Sequence, residues 1–358
     1  MWVKRMNASL EERVSVIIPA RNEEANVARV VRSVARQQGI REILVVDDQS
    51  EDQTREILAG LESEIPLLRT LRVESLPPGW LGKTYAVAEG ARSATGDWLL
   101  FTDADTEHLP GSLAELLERA QGERADLLSI SPGQETPTWW EKAVIPLVFV
   151  ELSRLFRFED VSDPKSPAAA ANGQYLLVRR EVYERSGGHE AVKAQILEDV
   201  ELARRIKSLG GKLIFLPGAR WVRTRMYHCF RDMWRGWSKN LYLLYAGNLR
   251  RMLTTVMSLW LLDVLPVLGF AAACFWLVLG DSGAGAALLA TGCAVVVVGR
   301  QWSYRRTLGW LGFDSALAGY QVIGAVLVGG LTLNSVRAHR ATGRIEWKGR
   351  HYATRGKG

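Results

Sequence analysis

Cysteine is scarce in this sequence: three residues in 358, Cys229, Cys274 and Cys293, and none of them in a C-x-x-C pair. That excludes a disulfide framework and a cysteine-based zinc site, and it is compatible with a reducing compartment. The opening stretch MWVKRMNASLEERVSVIIPA lacks the long apolar core of a cleavable signal peptide. We therefore expect the first half of the chain to stay in the cytoplasm.

Charge is nearly absent from three stretches of the second half. Segment 253–280 holds Asp263 as its single charged residue, and segments 283–299 and 315–336 hold none. A helix needs roughly 20 mainly apolar residues to cross a bilayer, so the pattern predicts three spans, the middle one short. Three such segments in succession favour spans over buried helices of a soluble protein. We expect a multi-pass protein of the cell's inner (cytoplasmic) membrane, with a transmembrane region at 249–336.

The basic residues leave the membrane topology open. Arg250 precedes the first apolar segment and Arg305 follows the second, and both positions are typical of cytoplasmic loops. Three crossings would then place the basic tail, 337–358, on the outer side, against that tendency. Either one segment is re-entrant or interfacial, or the count differs by one. The tail suits phosphate-rich partners, and the adjoining spans favour lipid, so we expect no nucleic-acid partner.

The first part of the chain, 1–248, alternates strand-like and helical segments, which predicts an α/β fold with a mostly parallel sheet and helices on both faces. Ligands of such sheets bind at the carboxyl ends of the strands. The predicted strands are 14–19, 42–48, 71–75, 97–105 and 126–131, and the predicted helices are 23–38, 52–61, 83–94 and 110–121.

Two segments combine aromatic, apolar and charged residues. Segment 138–158 is too short and too charged to span, and it suits a helix in the membrane interface; the alternative is a core helix of the catalytic domain. Segment 228–245 interleaves tryptophans with basic residues and is also expected at the interface. Its Trp234 and Arg235 form a membrane-interface belt or close the site over a diphosphate and an acceptor.

An acid cluster follows the buried-looking run 98–101. Asp103 and Asp105 repel each other unless a positive charge lies between them. Mg²⁺ or Mn²⁺ supplies that charge, and the diphosphate of a nucleotide donor fills its other ligand positions. The metal also stabilises a departing diphosphate. The sequence therefore predicts a donor and metal site at Asp103 and Asp105.

Two further positions suit the same ligand. Asp48, at the end of the second strand, is placed to accept the imide N–H of a uracil; the alternative is a helix N-terminal acid beside a Ser50 or Asp52 cap. Lys83 opens a helix, where backbone N–H groups and an ammonium group both favour anions. Its alternative is a solvated lysine in a turn.

Glu198 and Asp199 open an amphipathic helix. Acids in a first turn are ordinary partners of the helix dipole. A sugar transfer with inversion, however, needs a carboxylate that takes the proton of the acceptor hydroxyl. Asp199 is the best-placed candidate outside the metal cluster.

Six ordered motifs, VSVIIPARNEE, ILVVDDQSEDQT, GKTYAVAEGARSATGDWLLFTDAD, NGQYLLVRREVYERSGGHE, ILEDVELARRIK and MWRGWSKN, resemble those of family 2 glycosyltransferases. The similarity is to the membrane-attached bacterial branch that glycosylates lipids, with ceramide-glucosyltransferase-like, carotenoid- and hopanoid-associated members. It implies a GT-A fold, a nucleotide-sugar donor, a divalent metal and an inverting single displacement. Position by position, the resemblance implies a nucleoside pocket, a donor–metal site and Asp199 as the catalytic base. Glu198 is expected to support Asp199 in that role. The implied donor residues are Pro19, Ala20, Glu23, Asp48, Asp103 and Asp105.

One motif departs from the family. The Q-x-x-R-W pattern is not literal, because no Gln precedes Trp234–Arg235 and the order of Arg and Trp is reversed. The expected function is transfer of one sugar, from a UDP-sugar in the first instance, to a lipid hydroxyl at the cytoplasmic membrane face. The alternatives are a polyprenyl-phosphate glycosyltransferase and a catalytically silent membrane scaffold; the oligomeric state is left open.

Overall fold

The alternating segments of the first half fold as one seven-stranded sheet. The structure is a computed structural model that describes residues 14–279, 283–342, 344–347 and 350–353. The sheet order is β3-β2-β1-β4-β8-β6-β9. Its strands are β1 (Val14–Ala20), β2 (Ile40–Asp47), β3 (Leu68–Arg72), β4 (Trp98–Phe101), β6 (Leu127–Ser131), β8 (Leu176–Arg179) and β9 (Leu213–Pro217). Strands β5 (Thr106–His108), β7 (Gly133–Gln134) and β10 (Val222–Thr224) form a smaller sheet.

The sheet is mostly parallel, as predicted. β1 pairs in parallel with β2 and β4, and β2 pairs in parallel with β3. Only β8 runs against its neighbours β4 and β6. Parallel pairing brings the carboxyl ends of β1, β2 and β4 together, with Ala20 opposite Asp47. The candidate site residues that follow these strands therefore meet at one edge.

Helices cover the sheet of the first unit. They are α1 (Val27–Ala35), α2 (Thr54–Glu64), α3 (Gly82–Ser93), α4 (Ser112–Gly122), α6 (Phe158–Ser162), α7 (Arg180–Arg185) and α8 (Glu198–Ser208), with a 3₁₀ turn at Gly188–Val192. Helix α3 lies very close to β1: a Cβ added at Gly90 would be 2.5 Å from Cγ2 of Ile17. That approach requires glycine and fixes the start of α3, with Lys83, near the strand ends.

A second compact unit contains Gln134–Leu155 and the described residues from Met226 onward. Its helices are α5 (Trp139–Leu155), α9 (Phe230–Leu244), α10 (Leu249–Leu259), α11 (Leu265–Val278), α12 (Ala284–Leu311) and α13 (Gln321–Thr342). A π-helical turn at Trp260–Val264 joins α10 to α11, and a 3₁₀ turn at Ser315–Tyr320 precedes α13. Strands β11 (Arg344–Trp347) and β12 (Arg350–Ala353) form an antiparallel hairpin.

The segments Leu249–Val278, Ala284–Leu311 and Ser315–Arg340 are each long and apolar enough to cross a membrane. Helix α12 is longer than the apolar segment 283–299, because it continues through Arg300 to Leu311 with Tyr304, Leu308 and Leu311 buried on one face; the short middle span stays a prediction. Helix α5 is buried continuously from Ala143 to Val150 within the second unit. Its place in the membrane interface, like that of 228–245, stays a prediction.

Each predicted strand and helix of the first half is present, with ends shifted by a few residues. Strands β8 and β9 were not predicted. The domain limits 1–248, 249–336 and 337–358 also stay predictions. The signal-peptide inference for residues 1–13 and much of the predicted basic tail, including Lys348, Arg355 and Lys357, fall outside the described residues.

Candidate active site

The loops after β1 and β2 hold each other in place. The guanidinium of Arg21 donates to the carbonyl oxygen of Asp48 at 2.7 Å and to that of Gln49 at 3.3 Å. The amide of Asn22 donates to the Ser50 hydroxyl, and the amide of Glu23 donates to the Thr54 hydroxyl at 2.8 Å. These cross-links form a fixed shelf beside the end of β1, where Pro19 and Ala20 lie.

Backbone strain accompanies the shelf. Asn22 and Gln49 have φ values of 53° and 60°, in the left-handed region that non-glycine residues rarely adopt. Such conformations persist where the surroundings enforce them, and they often occur at functional sites. Both residues lie directly beside the residues that the sequence assigns to a nucleoside pocket.

The two neighbouring aspartates of β2 have different surroundings. The carboxylate of Asp47 accepts from the Ser50 amide at 2.9 Å and pairs with Arg55 at 2.9 Å, so it stabilises the turn. Asp48 is itself 2% exposed and its amide donates to the carbonyl of Ala20 at 2.8 Å, which places it at the junction of β1 and β2.

A buried network positions the turn that carries Asp103 and Asp105. The hydroxyl of Thr102 donates to the carbonyl of Gln174 at 2.7 Å, and it lies 2.9 Å from the Thr106 hydroxyl and 3.0 Å from Nε2 of His108. Burial lowers the pKa of His108 to about 3, so its ring is neutral. The turn that follows β4 is thereby held from beneath by neutral polar groups.

Lys83 lies at the centre of the acid cluster. Its Nζ atom is 2.7 Å from Oδ1 of Asp103 and 3.1 Å from Oε1 of Glu198. Burial alone would lower the pKa of Lys83, but the carboxylates of Asp103, Glu198 and Asp199 raise it well above its ordinary value. Lys83 is thus a fixed cation that joins the acid after β4 to the acids that open α8. The alternative of a solvated lysine in a turn does not hold, and the role of Lys83 at the donor stays a prediction.

Asp199 is held by two backbone amides. Its Oδ2 atom accepts from the amide of Gly173 at 2.7 Å, and its Oδ1 atom accepts from the amide of Val200 at 2.8 Å. A Cβ at Gly173 would be 3.2 Å from Nζ of Lys83 and 3.5 Å from Oδ2 of Asp199. A side chain at position 173 would crowd both groups, so glycine leaves this part of the cluster open.

Burial raises the pKa of Asp199 to about 7, and repulsion from Glu198 adds to the rise. Lys83 and the two backbone amides act in the opposite direction. A carboxylate with a pKa near neutrality is a stronger base than an exposed aspartate, and it is still substantially ionised at pH 7. The geometry and the pKa therefore suit a group that accepts a proton.

The residues at the end of β4 suit a divalent cation that takes most of its ligands from a substrate. Among the described residues, no group of three His, Cys, Asp or Glu side chains is placed to hold a metal ion. Asp103 and Asp105 nevertheless offer two hard oxygen donors one residue apart, as Mg²⁺ sites completed by substrate phosphates require. Oxygen donors of this kind suit Mg²⁺ or Mn²⁺, and a metal ion at Asp103 and Asp105 stays a prediction.

The structure gathers most of the predicted site residues into the first unit. Pro19, Ala20, Glu23 and Asp48 lie around the ends of β1 and β2; Lys83, Asp103, Glu198 and Asp199 form the charged cluster. Trp234 and Arg235 lie on α9 of the second unit, where the Trp234 ring is 5.7 Å from that of Phe230. Their role at the donor diphosphate stays a prediction.

Sequence reasoning missed three supporting residues. Gly173 orients Asp199, Thr102 anchors the turn after β4, and His189 packs its ring 4.9 Å from Phe101. Gly173 lies in the motif NGQYLLVRREVYERSGGHE, so the sequence marks its segment as functional. The motif does not indicate that the Gly173 amide contacts Asp199. Such contacts depend on the antiparallel strand β8, which was not predicted.

Comparisons with known proteins agree with this geometry. The sequence model of the glycosyl transferase family 2 matches residues 15–187. The 4,4'-diaponeurosporenoate glycosyltransferase of Staphylococcus aureus (strain USA300) is 28% identical over 263 residues, which cover 72% of this chain and 68% of that protein. The homologous protein of strain MRSA252 is likewise 28% identical over 263 residues.

A solved structure shows the fold. The mannosyltransferase PcManGT from Pyrobaculum calidifontis, in complex with GDP-Man and Mn²⁺, superposes with a TM-score of 0.51 and 21% sequence identity. The match covers 92% of this chain and 93% of that chain. The predicted GT-A fold, an α/β sheet followed by apolar helices, is confirmed.

Proposed function

We propose that this chain, whose residues 15–187 match the model of the glycosyl transferase family 2, transfers a single sugar from a nucleotide-diphosphate sugar to a lipid. The donor is a UDP-sugar in the first instance, and the acceptor is a lipid hydroxyl at the cytoplasmic face of the inner membrane. The observation that carries this proposal is the position of Asp199, a raised-pKa carboxylate fixed by Gly173 beside the charged cluster of Lys83, Asp103 and Glu198.

The donor pocket in this proposal is the shelf after β1 and β2. Asp48 is almost fully buried at the end of β2, so its carboxylate offers a fixed acceptor for the imide N–H of a uracil. Pro19, Ala20 and Glu23 complete the same edge, and Arg21 holds the carbonyl of Asp48 in place. A bound Mg²⁺ or Mn²⁺ ion would be held by Asp103 and Asp105, where it would neutralise the donor diphosphate.

Asp199 supplies the base in this proposal. A neutral hydroxyl is a poor nucleophile, so its proton has to leave as the bond to the sugar forms. The two amides that hold Asp199 fix the orientation of the carboxylate, and its pKa of about 7 makes it a proton acceptor at neutral pH. Glu198 supports it by placing Lys83, whose ammonium group counters the charge of the cluster.

A second acceptor chemistry is favoured by the relative's name, which ends in -oate, the ending for a carboxylate. A carotenoid-type carboxylate, like a polyprenyl phosphate, is already an anion and needs no base. The two classes of acceptor therefore predict opposite results for Asp199→Asn. With a hydroxyl acceptor the variant loses turnover; with an anionic acceptor it keeps most of it.

The membrane side of the proposal rests on the three candidate spans and on the arginines around them. Arg250, Arg305 and Arg306 favour the cytoplasmic side for the ends of the first two segments. The nucleotide-sugar donor is expected in the same compartment. The product is then a glycolipid formed at the inner face of the membrane.

The test compares lipid extracts from cells with and without the gene by mass spectrometry. We expect a lipid that is heavier by one hexose-sized unit only when the gene is present. Membranes are then incubated with a panel of labelled nucleotide sugars to identify the donor. Absence of any glycolipid difference, together with no binding of UDP and Mn²⁺, would support the silent-scaffold alternative and overturn the proposal.

A further inference from the structure

The apolar helices of the second unit have two kinds of surface. Large apolar side chains of α11 and of the first half of α12 are exposed, among them Leu268, Phe275, Val278, Leu288 and Val298. In α13, Ile323, Val326 and Leu333 are 38–49% exposed, whereas Ala325, Val328 and Leu331 are 0–2% exposed. In the apolar 18-residue stretch of each candidate span, the buried share is 17% in the first span, 6% in the second and 44% in the third. Only the first two present a wide apolar surface.

A buried ion pair marks where that surface ends. The guanidinium of Arg300 on α12 donates to both carboxylate oxygens of Asp263, at 2.7 and 2.8 Å. The side chain of Gln321, at the start of α13, donates to the same carboxylate at 2.9 Å. The three candidate spans therefore meet at the Asp263 carboxylate, which sets one common level along their helices. Beyond Arg300, α12 exposes Arg305 and Arg306, which belong in water or among lipid headgroups.

From that level α13 runs away from the hairpin of α11 and α12. Gln321 contacts Asp263, whereas a Cβ at Gly329, further along α13, would be 2.4 Å from Nε1 of Trp260. Position 329 thus lies beside a residue that precedes Asp263 in the chain. Helix α13 accordingly packs back along α10 and does not accompany α11.

The second half of α13 lies beside a charged helix. The hydroxyl of Ser335 donates to the carbonyl of Ser238 on α9 at 2.6 Å, and the rings of Tyr242 and His339 stack at 4.6 Å. Helix α9 also carries exposed Arg231 and Arg235. Charged side chains at the depth of hydrocarbon are costly, so this half of α13 is excluded from the acyl region.

The remaining half is too short to cross. Gly330 lies beside Trp234 of α9: a Cβ added at Gly330 would be 3.5 Å from the Trp234 ring. Only the ten or so residues before it are free of the charged helix, and at 1.5 Å per residue they extend about 15 Å. A bilayer core is about 30 Å thick. Helix α13 cannot supply a third crossing.

We propose that the membrane-embedded element is the hairpin 264–299 alone, whose arms, about 24 Å long each, enter and leave the bilayer at one face, and that α13 packs outside the hydrocarbon with α9 and α10. The partner of the exposed hairpin surface is the acyl region of a bilayer. A hairpin returns to the face at which it entered, so Arg340 lies on the same side of the membrane as α9, which precedes Leu249. Among the described residues, this arrangement places Arg250, Arg305, Arg306 and Arg340 on one side and resolves the topology that the sequence left open. It rests on the second unit and does not depend on the proposed reaction.

The test is cysteine labelling of the full chain in its native membrane. Cys229, Cys274 and Cys293 are replaced by serine, and single cysteines are introduced as Arg340→Cys, beyond most of α13, and as Ser63→Cys, an exposed position of the first unit. A membrane-impermeant maleimide is applied to intact cells and to inverted vesicles. We expect both variants to be labelled in the same preparation, to at least five times the extent seen in the other.

Labelling of Arg340→Cys and Ser63→Cys in opposite preparations would establish an odd number of crossings and overturn the proposal. A first control checks that the cysteine-free chain is still membrane-bound and monodisperse. If that chain misfolds, a C-terminal epitope on the unaltered chain serves instead. Protease should remove the epitope only in the preparation in which the first unit is also digested; removal in the other preparation would refute the hairpin arrangement.

Discussion

Replacement of Asp199 by asparagine separates catalysis from stability. Asparagine keeps the size of the side chain and can still accept the amide hydrogen of Gly173, but it cannot take a proton. With a hydroxyl acceptor, loss of a positioned base should lower turnover by about 10²–10⁴-fold. Donor affinity should change little, because the proposed nucleotide shelf around Asp48 does not include Asp199.

The same change has a predictable effect on stability. Burial raises the pKa of Asp199 from 3.8 to about 7, so the ionised form is less favourable in the folded state than in the unfolded chain. This cost is absent below pH about 3, where both states are protonated, and it is complete above pH about 8. At about 1.36 kcal/mol per pH unit it is at most about 4 kcal/mol. Asp199→Asn should therefore be as stable as the wild type at pH about 3 and more stable at pH about 8.

The pH–rate profile of the wild type provides an independent readout. With a pKa of about 7, about half of Asp199 is ionised at pH 7 and about a tenth at pH 6. Turnover should fall accordingly on the acidic side. The residual turnover of Asp199→Asn should lack this limb.

The matched control is Glu201→Gln in the same first turn of α8. Glu201 pairs only with Arg204 among the ion pairs of the described residues, so this change alters the helix dipole without touching the cluster. We expect near-normal turnover and a small loss of stability, about 0.3–1 kcal/mol. Turnover of folded Asp199→Asn above a tenth of the wild-type rate would refute the role of Asp199 as base. Such a result with a glycolipid still formed would favour an anionic acceptor.

The sheet could be predicted from sequence because its strands carry local signals. β1, β2 and β4 contain the apolar runs 16–20, 43–46 and 98–101, each followed at once by a polar residue, a pattern typical of strands buried on both faces. Strand β8 has only four residues, Leu176–Arg179, and passes directly into α7 without a turn; its antiparallel pairing is a property of the folded sheet. Gly173, which precedes β8, was missed for the same reason.

The charged residues of the site could be identified from the sequence, but the ion pairs that they form could not. The sequence places Lys83 at a helix start, where an anion is favoured; it does not show that the anions include Asp103 and Glu198, which are remote in the chain. The length of α12 was underestimated because hydropathy ends at Arg300, whereas the helix continues with one buried face. Pairing and burial depend on long-range packing, which a single sequence does not encode locally.

Three further changes probe the two units. Asp105→Ala should abolish metal-dependent binding of UDP, measured by calorimetry with Mn²⁺, while melting stays normal; unchanged affinity would remove Asp105 from the site. Lys83→Met should move the acidic limb of the pH–rate profile to higher pH, because Lys83 lowers the pKa of Asp199; an unmoved limb with a higher donor KM would instead make Lys83 a simple anion binder. In the second unit, Arg300→Met should leave the buried Asp263 without its bidentate partner and lower the free energy of unfolding by about 3–5 kcal/mol. Since an unpaired buried charge causes most of that loss, Asp263→Leu combined with Arg300→Met should recover much of it. Thermal unfolding in detergent measures both variants, and equal melting of the single variant and the wild type would show that the pair does not hold the three helices together.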